Sequence, residues 1–164
     1  MRSRAGGDLK IIQGVGMKSI VPRGGFQTDG NDEWRSIYLS GPIMDENAGQ
    51  AREWRNTAKA LLGDKFRLLD PMRRKFVDRE VDSANEIVEF DLRDVREADL
   101  ILVNYNKPSI GTSMEVFYAA HDLGKFVVGF SPFEFRDCSP WMVRYCTKIL
   151  PDLESAAEYI NTNF

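Results

Sequence analysis

The sequence is poor in the side chains that commonly support triad and metal chemistry. Among its 164 residues it has one histidine, His121, and two cysteines, Cys138 and Cys146. Neither cysteine lies in a CxxC pair or in a Cys/His cluster with metal-ligand spacing. These absences argue against a histidine-based triad and against a site with several histidine ligands. We therefore expect two reduced structural thiols and no bound metal.

Two further features are missing: a long apolar run and an excess of positive charge. No uninterrupted apolar stretch approaches the roughly 20 residues that a membrane span needs, and the first residues lack the apolar core of a signal peptide. The formal net charge is −3 and the sequence pI is about 5.3. Such a balance disfavours nucleic acid or an anionic membrane as the main partner. The expected location is therefore cytoplasmic.

The chain divides into two unequal parts. Residues 1–34 are rich in Gly, Arg and Asp, which predicts a partly ordered N-terminal extension. Residues 35–164 alternate short apolar runs with amphipathic stretches, which predicts one α/β domain. The second part is large enough to bury a core of its own.

The most informative stretch lies at 100–120, where an apolar strand is followed by a loop and then by apolar residues at helical spacing. Thr112 or Ser113 is the predicted N-cap of this helix, which places Glu115 in its first turn. The helix dipole and the free amides of a first turn stabilise a carboxylate, so Glu115 is expected to be ionised at neutral pH. The alternative is that Glu115 is only a favourable first-turn residue.

A second carboxylate stands out on the preceding helix, predicted over 83–98 with Ser83 and a glutamate three residues later as a capping box. A step of 100° per residue places Asp91 in the middle of the apolar face, close to Ile87 and Val95. A carboxylate there is costly unless it is hydrogen-bonded, paired or protonated, and each of these favours a chemical role. A structural aspartate that caps a neighbouring loop remains the alternative.

Before that helix, residues 72–82 form a basic segment that contains Arg73 and Arg74. A solvated loop is the simpler interpretation of such a cluster. The alternative is a lid that contacts an anionic substrate.

The order of predicted elements indicates a doubly wound, five-stranded parallel sheet with helices on both faces. Its predicted strand order is the flavodoxin-like 2-1-3-4-5. In that order the first and third strands are neighbours at the carboxyl edge of the sheet, where ligands bind. The end of the first strand, with Tyr38, Gly41 and Pro42, should then face the loop that precedes Glu115.

Three segments resemble the nucleoside 2-deoxyribosyltransferase family, which includes the related 2'-deoxynucleoside 5'-monophosphate N-glycosidases. They are Ile-Tyr-Leu-Ser-Gly-Pro-Ile at 37–43, Asp91 with Asp99 eight residues on, and Pro-Ser-Ile-Gly-Thr-Ser-Met-Glu at 108–115. The resemblance extends over about 36–160. It implies an enzyme of nucleotide salvage that needs no cofactor and completes its active sites across a homodimer or higher homo-oligomer.

The resemblance also implies residue roles. Glu115 would be the nucleophile that forms a glycosyl ester, Tyr38 would orient it, and Asp91 would hold the base and protonate it. The substrate-binding residues implied are Gly41, Pro42, Ser109, Gly111, Ser139, Trp141 and Met142. For the tryptophan and the methionine, which would line the base pocket of an adjacent subunit, core packing is the alternative.

Ser109 is a departure from the family members that act on unphosphorylated nucleosides, which usually carry aspartate there. The monophosphate-specific branch has a serine at that position and a second one that matches Ser139, although its arginine falls at Met44 here. Without a carboxylate, repulsion toward a phosphate is removed. The alternative is that Ser109 is an ordinary loop residue and Ser139 an ordinary turn residue, with no part in binding a phosphate.

The leading hypothesis is cleavage of the N-glycosidic bond of a 2'-deoxynucleoside through a glycosyl-Glu115 intermediate, with transfer of the sugar to another base. One alternative is hydrolysis of (deoxy)nucleoside 5'-monophosphates to free base. A second is a nucleotide-binding module without catalysis.

Overall fold

The computed structural model describes residues 36–43, 48–76, 80–133 and 137–164. The extension predicted over 1–34 and the position of Met44 lie outside these ranges. Within them, no helix combines the length and the apolarity needed to cross a membrane.

Strands and helices alternate along the described chain. The strands are β1 (Ser36–Ser40), β2 (Arg67–Leu69), β3 (Leu100–Asn104), β4 (Phe126–Phe130) and β5 (Lys148–Leu150). The helices are α1 (Ala48–Leu62), α2 (Ala84–Glu97), α3 (Ile110–Phe117), α4 (Pro140–Tyr145) and α5 (Leu153–Asn163). A 3-10 turn over Pro71–Arg73 follows β2, and a π-helical turn over Tyr118–Asp122 continues α3.

All strand pairs are parallel, and the sheet order is β2-β1-β3-β4-β5. The predicted order and the doubly wound, flavodoxin-like α/β class are confirmed. In the pairing of β1 with β3, Ser40 is opposite Val103. The carboxyl ends of these two strands therefore meet at the edge where Glu115 follows in sequence.

The sheet separates two hydrophobic cores. Ile37 and Leu39 of β1 pack on one face, against α1 and α5. Tyr38 packs on the other, in a core that includes Val95 of α2 and Val116 of α3. This alternation follows the two-residue period of a strand, and it places Tyr38 on the side of α2 and α3.

The turn after β1 requires a glycine. A Cβ at Gly41 would lie 2.8 Å from Cζ2 of Trp54 and 3.0 Å from Cβ of Asn104. Any other residue there would push the turn away from the end of β3. The glycine therefore lets the β1 turn pack closely against α1 and β3.

Helix α2 begins where predicted, but its cap differs. Ser83 occupies the N-cap position with φ −104° and ψ 14° and makes no side-chain capping hydrogen bond. A capping serine normally has extended backbone angles that aim its hydroxyl at the first-turn amides. The predicted capping box is therefore wrong. The expected apolar face is also narrower, because Val88 is 53% exposed.

Candidate active site

Helix α3 begins three or four residues earlier than the sequence suggested. Its N-cap is Ser109, whose Oγ accepts a hydrogen bond of 3.4 Å from the Thr112 amide. Ser113 instead donates its hydroxyl back to the carbonyl of Ser109, at 2.8 Å. The prediction of Thr112 or Ser113 as the cap is wrong because Ser109, extended after a proline, reaches the amides first. Glu115 consequently lies in the second turn, away from the free amides.

Two hydroxyl groups of β1 hold the Glu115 carboxylate. The Tyr38 hydroxyl donates to Oε1 at 2.8 Å. The Ser40 hydroxyl donates to Oε2 at 2.5 Å. We refer to Tyr38, Ser40 and Glu115 as the carboxylate clamp. It lies at the carboxyl end of β1, the edge at which open α/β sheets bind ligands.

Burial sets the protonation of the clamp. It raises the pKa of Glu115 from 4.5 to about 7, even though the hydrogen bonds from Ser40 and Tyr38 act in the opposite direction. Desolvation therefore opposes the ionisation of Glu115 that a first-turn position would have favoured, and it outweighs the groups that stabilise the anion. Burial also raises the pKa of Tyr38 well above its usual value, so this residue is a neutral hydrogen-bond donor.

Asp91 of α2 is electrostatically coupled to the clamp, since its charge raises the pKa of both Glu115 and Tyr38. Its own pKa is raised from 3.8 to about 6, chiefly by burial, while Arg74 acts in the opposite direction. Arg74 donates to its Oδ1 at 3.1 Å. The sequence left open whether Asp91 is hydrogen-bonded, paired or protonated. The structure shows a partly desolvated carboxylate that is paired with Arg74.

The arginines of the basic segment are paired within the protein. Arg73 donates to both oxygens of Asp94, at 2.7 and 2.6 Å, and Arg74 donates to the same carboxylate. Asp94 is almost fully buried, with its side chain 1% exposed. These contacts anchor the segment to α2 beside Asp91.

A buried arginine fixes the turn that follows β1. Arg55 of α1 is 0% exposed and donates to the carbonyl of Gly41 at 2.9 Å and to that of Pro42 at 3.5 Å. It also forms an ion pair of 3.5 Å with Asp70. Its positive charge lowers the pKa of Glu115. The predicted substrate-binding pair Gly41 and Pro42 is thus held by its backbone next to the clamp.

Four of the remaining predicted residues line a cleft of about 290 Å³ between α3 and α4, and no residue of the clamp lines it. They are Ser109, Ser139, Trp141 and Met142. Trp141 is 66% exposed, so core packing is the wrong interpretation of this residue. On a helix with 100° per residue, Thr112 and Val116 of the cleft lie about 60° and 100° from Glu115. The cleft is therefore lined by the part of α3 that adjoins the face of Glu115.

Gly111 lies on the Glu115 side of α3, four residues before it. A Cβ at this position would meet no atom within 4 Å. The fold itself therefore does not require a glycine here, which leaves the approach of a ligand as a reason for its small size.

Sequence reasoning missed Ser40. A serine before Gly-Pro resembles an ordinary turn residue, yet the signal was present. Residues i and i+2 of a strand point to the same face, so placing Tyr38 opposite Glu115 also places Ser40 there. Among the residues that the structure describes, no group of His, Cys, Asp and Glu side chains is arranged to hold a metal ion.

The fold and the clamp define a class of protein: a flavodoxin-like domain with two partly buried carboxylates, Glu115 and Asp91, near the carboxyl edge of its sheet. A family described as "Nucleoside 2-deoxyribosyltransferase like" matches residues 34–132, more than half of the chain. The chain therefore belongs to this family. No curated protein matches the chain.

Solved structures share the fold at low sequence identity. A 2-desoxiribosyltransferase from Leishmania mexicana is 21% identical with a TM-score of 0.54, and the match covers 79% of this chain and 98% of that one. A 2-deoxyribosyltransferase from Bacillus psychrosaccharolyticus is 21% identical with a TM-score of 0.60, covering 76% and 91%. A CMP N-glycosidase from Clostridium botulinum is 16% identical with a TM-score of 0.53, covering 78% and 99%.

Proposed function

We propose that the protein cleaves the N-glycosidic bond of 2'-deoxynucleosides through a covalent glycosyl-Glu115 intermediate and transfers the sugar to another nucleobase. The observation on which this rests is the clamp. A carboxylate with a hydroxyl donor on each oxygen is fixed in orientation at the ligand-binding edge of the sheet. Such a group can attack an anomeric carbon whose oxocarbenium-like charge develops beside it.

In the first step a Glu115 oxygen bonds to C1' as the C1'–N bond breaks and its electron pair goes to the base. Asp91 gives its proton to the ring nitrogen of the leaving base. In the second step a nitrogen of the incoming base attacks C1', Asp91 takes up its proton, and Glu115 leaves as a carboxylate. Tyr38 orients Glu115 throughout.

The pH dependence of kcat/KM follows from this assignment. Attack needs Glu115 ionised while Asp91 keeps its proton, although Glu115 has the higher pKa, about 7 against about 6. When the two carboxyl groups share one proton, that proton is mostly on Glu115. The reactive form, with the proton on Asp91, is therefore the less populated of the two. We expect a bell-shaped profile with limbs near pH 6 and pH 7, measured by base release from about pH 4 to pH 9. A rate that rises steadily across this range would contradict the two roles.

Hydrolysis of 5'-monophosphates is the second candidate, and a specific observation favours it. Ser109 and Ser139 line one cleft at the start of α3, together with Lys107. Hydroxyl and ammonium groups beside a helix N-terminus suit a phosphate.

Substituting Ser109 by aspartate tests the phosphate hypothesis without removing the helix cap, since aspartate caps as well as serine. We expect kcat/KM for deoxynucleoside monophosphates to fall by about 10-fold or more, because a carboxylate repels the phosphate, while activity on deoxynucleosides is kept. Ser109→Gly is the matched control, since glycine caps nearly as well and adds no charge. Equal activity of the unaltered protein on both substrate types would remove the phosphate hypothesis.

A homodimer or higher homo-oligomer with shared sites fits the placement of the cleft. Ser139, Trp141 and Met142 line the cleft, whose lining contains no residue of the clamp. Large apolar side chains are exposed on α3, Ile110 at 87% and Met114 at 63%, and in the cleft itself, Phe133 at 50%. In this proposal the cleft residues of one subunit complete the pocket of the next. A monomer by light scattering at working concentration would overturn it.

The experiment that tests the function is incubation with a panel of deoxynucleosides and deoxynucleotides, with and without an acceptor base, followed by chromatography. A swapped nucleoside supports transfer, and free sugar or sugar phosphate supports hydrolysis. No base release from any member would contradict both.

A further inference from the structure

Ser40 contacts the reacting carboxylate and has no place in the chemistry assigned so far. It is the last residue of β1, is 0% exposed, and gives its hydroxyl to Oε2 of Glu115 at 2.5 Å. Tyr38 donates to the other oxygen, so each Glu115 oxygen accepts from a different residue. Buried polar groups of this kind are kept paired, because an unpaired one is costly.

We propose that Ser40 is a positioning residue that controls how readily Glu115 releases the sugar, and hence how long the glycosyl-enzyme survives. The inference rests on the proposed function, since it needs Glu115 as the nucleophile.

The reason is the difference in charge between the two states of Glu115. As a carboxylate it bears a full negative charge, and a hydrogen bond to it is charge-assisted and about twice as strong as a neutral one. As an ester it is neutral, so the same hydroxyl stabilises it less. Ser40 therefore favours the free carboxylate over the ester, which makes Glu115 a better leaving group in the second step.

The bonds of that step balance without any further reagent. A nitrogen of the acceptor base, or the oxygen of water, attacks C1'. The electron pair of the C1'–O bond returns to Glu115. The Ser40 and Tyr38 hydroxyls then donate hydrogen bonds to the restored carboxylate. Asp91, left ionised by the first step, takes the proton of the acceptor.

The test is Ser40→Ala, with formation and breakdown of the glycosyl-enzyme followed separately by rapid quench and intact-mass spectrometry. Losing one charge-assisted hydrogen bond is expected to slow breakdown by about 10-fold or more and to raise the fraction of enzyme present as adduct. Ser40→Cys keeps the volume with a weaker donor and should lie between the two.

A second readout separates this role from a purely structural one. Four neighbours act on the pKa of Glu115: Asp91 of α2, Arg55 of α1, and Tyr38 and Ser40 of β1. The hydrogen bond from Ser40 lowers this pKa. Without that bond the alkaline limb of the kcat/KM profile should move to higher pH, because this limb follows the group with the higher pKa. An unmoved limb would argue for a structural serine.

Ser36→Ala is the matched control. Ser36 is on the same strand, is 3% exposed, and donates its hydroxyl to the Asp99 carboxylate at 2.9 Å. Its removal should leave both rates unchanged. If an adduct forms but Ser40→Ala breaks it down at the normal rate, the inference about Ser40 fails alone. If neither the unaltered protein nor any variant forms an adduct or releases base, the proposed function itself fails.

Discussion

Replacing Glu115 by glutamine is expected to reduce kcat/KM for base release by about 10³-fold or more, the scale of loss when a nucleophile is removed. Glutamine has the same shape, and its amide can still accept from Tyr38 and donate to the Ser40 oxygen. The clamp geometry is therefore kept while the nucleophilic charge is lost. The measurement is initial-rate kinetics on the best substrate of the panel.

The same substitution should increase stability at alkaline pH. The pKa of Glu115 is about 7 in the folded protein against an ordinary 4.5. The folded state therefore holds this proton more tightly, and the stabilisation from it is complete below pH 4.5 and is lost as the pH rises through 7. At about 1.4 kcal/mol per unit, the variant should gain about 3 kcal/mol relative to the unaltered protein between about pH 4 and pH 8.

Glu97→Gln is the matched control, because Glu97 is a half-exposed carboxylate that pairs with Arg67 away from the site. It should leave the activity unchanged and alter the free energy of unfolding by less than about 1 kcal/mol. Two results together would favour the non-catalytic module instead. The unaltered protein would release no base, and Glu115→Gln or Glu115→Ala would still bind nucleotide and keep the biological role.

Replacing Arg55 by methionine should cause the largest loss of stability, about 3 kcal/mol or more in the free energy of unfolding. Arg55 is 0% exposed, and its loss removes the donor to the Gly41 carbonyl and one partner of Asp70. Buried acceptors left without a partner are costly, and methionine supplies volume but no donor. Chemical denaturation monitored by tryptophan fluorescence measures the difference.

Lys59→Met provides the control, because Lys59 also pairs with Asp70, at 2.5 Å, but its side chain is 43% exposed. That change should cost less than about 1 kcal/mol. Equal losses for the two variants would show that the buried contacts to the β1 turn contribute little. The charge of Arg55 also lowers the pKa of Glu115 and of Asp91. If the Arg55 variant remains folded, both limbs of its pH–activity profile should therefore move to higher pH.

Much of the fold was predictable because local patterns decide it. Strand–helix alternation predicted the parallel order. The two-residue period of a strand explains why Ile37 and Leu39 lie on one face of β1 and Tyr38 on the other. The same topology brought Tyr38 to Glu115. The start of α5 is equally local, since aspartate is a favoured N-cap residue and the carboxylate of Asp152 accepts from the Ser155 amide at 2.7 Å.

What the sequence could not settle depends on contacts between distant segments. Three hydroxyl residues, Ser109, Thr112 and Ser113, compete to begin α3, and only the path of the preceding loop decides among them. The protonation of Glu115 depends on how much water surrounds it, which no spacing reveals. The pairing of Arg73 and Arg74 with the α2 carboxylates likewise requires two elements to dock.

The most direct test of the account is to trap the sugar on the protein. A deoxynucleoside or deoxynucleotide whose sugar carries an electron-withdrawing group destabilises the oxocarbenium-like transition state and slows breakdown of the ester. After incubation with such a substrate, peptide mapping by mass spectrometry should find one glycosyl group, on the peptide that contains Glu115, and none on Glu115→Gln. Base release with no adduct, or an adduct on another residue, would contradict the assignment of Glu115 as the nucleophile.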